Sequence, residues 1–297
     1  MILQDFLVST KEGFYCRYGD FYLDPISPVR HAVISHGHGD HATPGHHIAY
    51  CTPPTYLFME LRFARIHLPQ TRQITYHQSF ELGEVTLTFI PAGHILGSAQ
   101  ILMEHRGVRY LYTGDYKLQP DPTCEAYEST KADVLITETT FADPTVAHPI
   151  PEEEILKLSS IRSHIMLGAY ALGKAQRLTA MIHRYCPEKT VLIHHGIVPI
   201  HRIYESFGMD LGPYQVYNRK AMKAANGEEN VYIVPPMTFR SYLRPKNVVR
   251  VFASGWKHLQ RNNPLDLFIS DHVDWAEILE CIARTAPCEV WTIHGDG

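Results

Sequence analysis

The stretch ISHGHGDH, residues 34–41, places three histidines and one aspartate in its last six positions with only glycine between them. Imidazole and carboxylate are the groups that borderline divalent cations bind, and neutral imidazole is the commonest metal ligand in proteins. His36 and His38 lie two apart, so in extended chain their rings face the same way and could share one cation. Asp40 and His41 follow a tight turn aimed at a point a few ångströms away, so two metals are implied. Gly37 and Gly39 remove side-chain bulk and admit unusual backbone angles, as a loop folded around ions requires. The ligand set suits Zn²⁺ at about 2.0 to 2.2 Å, with Mn²⁺ or iron as alternatives. The bland competitor is a histidine-rich surface turn, and partners elsewhere in the chain weigh against it.

Outward from this loop, short apolar runs rich in Val, Ile, Thr and Tyr recur between Gly and Pro. They are HAVIS (31–35), VTLTFI (85–90), AQILMEHRGVRYLYTGD (99–115, a hairpin about Arg106 and Gly107), DVLITE (133–138), VVRVFAS (248–254), DLFIS (266–270) and EVWTIH (289–294). These read as buried strands. Helical patterns lie between some of them: TPPTYLFMELRFA (52–64) with Thr52 as N-cap and Pro53 in the first turn, EEEILKLSSI (152–161), GKAQRLTAMIHRYC (173–186) and DWAEILECIARTA (274–286). The chain is therefore mixed α/β. His36, His94, Asp115, Glu138, His272 and His294 each fall at or just past the C-terminal end of a predicted strand, where rigid elements hold functional loops at fixed separations.

A chain of 297 residues with 45% hydrophobic content can bury a large core. Its opening lacks a basic segment followed by an apolar one, and no run of 18 apolar residues occurs, so the expectation is a cytoplasmic protein without a membrane span. The six cysteines are scattered with no Cys-x-x-Cys pair, which suits buried thiols better than disulfides or a thiolate metal site. Most of the nineteen histidines, among them His31, His46, His67, His105 and His183, have no partner at ligand spacing and read as ordinary surface or core residues. Charge is unevenly distributed. Residues 151–261 hold 16 Lys and Arg against 8 Asp and Glu, leaving 11 basic and 23 acidic residues for the rest. A basic module beside an acidic, histidine-rich one suits phosphate binding by the first and cation binding by the second.

HGHGDH resembles the His-x-His-x-Asp-His signature of the metallo-β-lactamase superfamily, and PAGHILGSAQ (91–100) and YTGDY (112–116) look like its next two ligand motifs, carrying His94 and Asp115. Asp24, in FYLDP, matches the family's early aspartate, which supports the ligand loop. The resemblance implies an α/β fold, the αββα sandwich, with His36, His38 and His94 on one metal, Asp40 and His41 on the other, and Asp115 bridging. Glu138 in ITET, His272 in ISDHVDW and His294 in TIHGDG resemble the three further motifs of the β-CASP branch, the nucleases of that superfamily. AYALGKAQRL (169–178) and VFASGW (251–256) are similar to the bacterial ligase-associated DNA exonucleases. The implied organisation is a discontinuous catalytic domain, 1–150 and 262–297, with a basic α/β β-CASP domain inserted at 151–261.

The implied function is that of a di-metal phosphodiesterase, a DNA exonuclease of DNA repair acting on single-stranded DNA, with metal-bound hydroxide as nucleophile and a DNA ligase or helicase as functional partner. His272 is the candidate general acid, Glu138 the group that holds it protonated, and His294 would complete the second metal's shell. Lys174, at a helix start after Gly173, is expected to meet a phosphate, together with Ser254 and Gly255 at a strand end. Trp256 could stack on a base, although ordinary domain packing is the favoured reading for it, and His194 and His195 could line the cleft. An RNA-processing β-CASP ribonuclease is the alternative, because a histidine at position 294 is typical of that branch. A glyoxalase-type thioester hydrolase shares the five core ligands but has no need of Glu138, His272 or a basic insert. A non-catalytic nucleic-acid scaffold should have lost ligands, and none of the motif positions is missing.

Overall fold

The computed structural model describes residues 1–64, 70–218, 229–241, 248–260 and 264–293. They form two compact units, one of residues 1–147 with 272–297 and the other of residues 148–271.

Two six-stranded sheets make the first unit. One runs in chain order: β1 (Val8–Thr10), β2 (Gly13–Cys16), β3 (Phe21–Leu23), β4 (His31–Val33), β5 (Ile48–Cys51) and β6 (Gln70–Gln73). The other holds β7 (Ser79–Leu82), β8 (Val85–Pro91), β9 (Ala99–His105), β10 (Val108–Tyr112) and β11 (Val134–Glu138), beside which β18 (Glu289–Ile293) adds as a parallel strand. Alternation along the strands builds the layers. In β10, Tyr110 and Tyr112 enter the core shared by the two sheets with Phe21, Val33, Phe89 and Ile136, while Leu111 points to the opposite face. On that outer face Leu111, Leu102 and Leu135 are covered by Ile278 and Cys281 of the helix Trp275–Thr285, and the other sheet's outer face by Met59 of α1 (Pro53–Arg62) against Ala32, Ile34 and Ala49. The result is an αββα sandwich, and both faces of each central strand are buried.

Local chemistry fixes the turns that matter. Thr52 caps α1 by accepting from the Thr55 N–H, with Pro53 at the first helical position. The β9–β10 hairpin closes on Arg106 (φ 49°) and Gly107 (φ 76°), the two positive angles a tight twisted hairpin needs.

The second unit is built on a parallel sheet in the order β14 (Gln215–Val216), β13 (Thr190–Ile193), β15 (Asn230–Val234), β12 (His164–Gly168), β16 (Val248–Ala253) and β17 (Leu265–Leu267). The helix α3 (Lys174–Tyr185) packs Ala175, Leu178 and Ile182 onto Leu167, Ile193 and Val251. The run DLFIS, expected as strand over 266–270, is strand only to Leu267. Beyond it the backbone is claimed by side chains: Phe268 N–H donates to Glu154, and the carbonyls of Ile269 and Ser270 accept from Lys174 and Arg177. Among the described residues no helix is long and apolar enough to cross a membrane.

Candidate metal centre and catalytic dyad

The loop after β4 is laid on a buried carboxylate. Asp24 sits at φ 40°, an angle disfavoured for a residue with a Cβ, and its side chain collects four bonds. Ser35 donates from N–H (2.7 Å) and Oγ (2.6 Å), Tyr112 from its hydroxyl (2.9 Å), and His41 Nδ1 lies 2.9 Å away. Burial pushes the Asp24 pKa up, but the His41 charge and these bonds outweigh it and hold the carboxyl below its usual range. With Nδ1 of His41 on Asp24, its Nε2 turns to the centre. Ser35 acts likewise on His36: its Oγ donates to Asp24 and lies 3.0 Å from His36 Nδ1, so His36 presents the Nε2 lone pair inward.

Four groups converge. The ligating atoms of His36, His38, His94 and Asp115 lie within 4.8 Å of one another. His38 Nδ1 is 3.0 Å from His36 Nε2 and 3.1 Å from His94 Nε2, and Asp115 Oδ2 is 3.5 Å from His36 Nε2 and 3.7 Å from His94 Nε2. Tetrahedral ligands about 2.0 to 2.1 Å from a cation are themselves about 3.3 Å apart, so these spacings fit one divalent ion. Burial and the neighbouring imidazoles hold His36 well below its usual pKa, in the neutral form a metal needs. Asp115 Oδ2 is also 3.5 Å from His41 Nε2, which places this one oxygen between both ligand groups. Asp40 is not gathered in: its side chain is 80% exposed, with Oδ2 3.9 Å from His41 Nε2.

Beside this group stands a dyad. Glu138 ends β11, fully buried, and its Oε2 is 2.8 Å from Nδ1 of His272 and accepts from Thr140 Oγ1 at 2.6 Å, while Oε1 accepts from Tyr116 N–H at 2.9 Å. Burial works against the Glu138 charge, yet His272 and these donors hold its pKa below the usual carboxylate range. The His272 ring lies 4.9 Å from that of His94, and Asp115, Glu138 and His272 form a second group able to hold a cation.

Of the remaining expected site residues, Lys174 is not placed to receive a phosphate. It is buried, with Nζ on the Ile269 carbonyl and 3.0 Å from Asp271 Oδ2, a carboxylate it shares with Arg177. A buried ammonium must find a counter-charge, and Asp271 supplies it. Ser254 is buried and its Oγ accepts from the Trp256 N–H, Gly255 is half-buried, and Trp256 is 41% exposed. His294 lies outside the described residues. Several supports carried no signal in spacing. Tyr112, Tyr116, Thr140 and Lys117, whose Nζ donates to the His94 carbonyl at 3.3 Å, reach the centre only through the fold. Ser35 beside His36, Tyr116 beside Asp115 and Thr140 two residues past Glu138 are neighbours of ligand-type residues in the chain, but nothing local in sequence shows which atoms they reach.

Residues 18–195 match the family model described as the β-lactamase superfamily domain. The chain is 30% identical over 310 aligned positions to a probable DNA ligase of Opitutus terrae, covering 97% of the chain and 29% of that protein. It is 34% identical to the endoribonuclease YSH1 of Gibberella zeae (39% of the chain, 15% of that protein) and 32% identical to the cleavage and polyadenylation specificity factor subunit 3 of Dictyostelium discoideum (50% and 20%). The chain thus spans less than a third of the length of each of these relatives. A solved structure of a protein of unknown function from Enterococcus faecalis shares the fold, with a TM-score of 0.59 at 14% identity, covering 89% of this chain and 75% of that one.

Proposed function

Because the chain belongs to the metallo-β-lactamase superfamily, we propose that it is a di-metal nuclease of the β-CASP branch and that its substrate is single-stranded DNA, cut as an exonuclease in DNA repair. The observation that carries the reading is the Glu138–His272 dyad standing against the His36, His38, His94 and Asp115 group. Ester hydrolysis at such a ligand group needs nothing more, whereas phosphodiester cleavage expels a strongly basic alkoxide that wants a proton.

His36, His38, His94 and Asp115 would hold one cation, and His41 and Asp40, with Asp115 shared and His294 added, the second. Two divalent cations, Zn²⁺ by ligand chemistry with Mn²⁺ as alternative, supply charge neutralisation at the scissile phosphate and make water more acidic. Asp24 keeps His41 oriented through Nδ1, and Ser35 does the same for His36. Glu138, charged and buried, accepts from Nδ1 of His272 and stabilises the imidazolium, whose Nε2 carries the proton that passes to the leaving oxygen. DNA is preferred because the match to the ligase protein extends over 97% of the chain, while the ribonuclease matches cover 39% and 50%.

The test is incubation with end-labelled single-stranded DNA and RNA of one sequence, with Zn²⁺, with Mn²⁺ and with chelator. Metal-dependent shortening of DNA in preference to RNA, lost in His272→Ala with metal content intact, is the expected result. Preferential RNA cleavage would move the protein to the RNA-processing side, and cleavage of neither would overturn the nuclease reading.

A further inference from the structure

The ligand loop is gripped from outside by a cation that its own motif does not contain. Arg62 closes α1, and its Nη2 donates to the Gly37 carbonyl, between His36 and His38, at 2.7 Å. The residue is exposed, and its guanidinium lies 5.7 Å from the centre of the Phe63 ring. Guanidinium carries five donors in a rigid fork, so an exposed arginine tied down by one carbonyl is oriented without being used up.

The glycines flanking His38 differ in a way that bears on this. A Cβ at Gly37 would come within 2.9 Å of the Phe58 ring, so packing alone demands glycine there. At Gly39 a Cβ would meet nothing closer than the Arg62 guanidinium, at 3.9 Å. Neither a clash nor a positive φ requires glycine at 39. Without a Cβ the backbone at Gly39 is bare beside the Arg62 guanidinium, which leaves room for a ligand to approach it closely.

We propose that Arg62, with the bare backbone of Gly39, forms a phosphate-binding site at the rim of the metal centre, taking a phosphodiester of the nucleic acid neighbouring the one cleaved. The planar fork matches two phosphate oxygens, which an ammonium would not. This rests on the nuclease reading. It makes Arg62 a substrate-binding residue that Lys174, engaged with Asp271, does not duplicate.

The experiment uses metal-loaded protein, wild type and Arg62→Met and Arg62→Lys, titrated with a labelled oligothymidylate of non-cleavable phosphorothioate backbone over a range of KCl, alongside kinetics on the cleavable strand. Arg62→Met is expected to weaken binding about tenfold, to lower the salt slope by about 0.7, and to raise KM about tenfold while kcat moves far less; Arg62→Lys restores part of the affinity. Unchanged affinity, slope and KM in Arg62→Met, with reduced metal content and kcat, would overturn the site and leave Arg62 a loop support. Wild-type binding without cleavage under any cation would sink the nuclease reading alone, since the loss in Arg62→Met would still establish the phosphate contact. No wild-type binding would remove both.

Discussion

At the residue scale the ligand loop shows which features could be read in advance. His36, His38, His94 and Asp115 were legible because ligand spacing and the ends of predicted strands are local in sequence, and the structure brings them within 4.8 Å. The Lys174 reading failed for the opposite reason: a helix-start lysine looks the same in sequence whether it faces solvent or a buried Asp271 ninety-seven positions later. The two loop glycines give a sharp contrast. Gly37→Ala forces a methyl into the buried Phe58 ring and should cost about 1 to 3 kcal/mol, whereas Gly39→Ala finds only ordinary contact and should unfold like wild type. Urea denaturation of both variants checks this, and equal stabilities would refute the packing argument. His272→Ala should lower kcat by about 10² to 10⁴ on a natural diester and far less on a nitrophenyl diester, whose leaving group needs no proton. An equal loss on both substrates would show that His272 does not act as the acid.

Elements were legible where apolar runs were continuous, as in β8 to β11, which lie between two covered faces. The short or polar strands were not: Gln70–Gln73 is an edge strand with no apolar alternation, and the first hairpin offers only three-residue and four-residue strands. Where DLFIS stops being strand was equally hidden, since the side chains that cap it come from Glu154, Lys174 and Arg177. Packed between α3 and α4 (Val198–Ser206) is a buried imidazole that no local spacing announced. His201 is fully buried, its Nδ1 3.0 Å from Gln176 Nε2 and its Nε2 3.0 Å from Thr179 Oγ1, and burial depresses its pKa to about 4. The sign follows from proton binding. Above about 6.5 neither folded nor unfolded chain protonates it; between about 6.5 and 4 only the unfolded chain does, so stability is complete above that window and falls as pH drops through it. The loss approaches about 3 kcal/mol by the conversion of about 1.4 kcal/mol per unit. Unfolding free energies of wild type and His201→Gln, compared from pH 7 to 4.5, should diverge in slope, and parallel curves would contradict the assignment.

For the whole molecule, two properties separate along the chain. The second unit, residues 148–271, holds 16 Lys and Arg against 10 Asp and Glu, a balance of +6 in a chain of net −4. That imbalance was visible from composition, since charge is additive along sequence while packing is not. The first unit carries the His36, His38, His94 and Asp115 cluster, so a cation bound there should stabilise it by mass action, about 2.7 kcal/mol at a hundredfold excess over Kd. Chelation is therefore expected to lower the melting temperature by about 5 to 10 °C, with readdition of Zn²⁺ or Mn²⁺ restoring it; a chelator-insensitive transition in calorimetry would deny the cluster a tightly bound ion. The pairing of β18 with β11 adds a matter of timing. β11 ends at Glu138 and its parallel neighbour begins at Glu289, so on a ribosome adding about 5 to 20 residues per second the half-built sheet waits roughly 8 to 30 s for its last strand. Throughout that interval an apolar strand edge stands open to any other nascent chain, and the yield of folded protein should depend on how quickly translation carries the ribosome across the intervening unit.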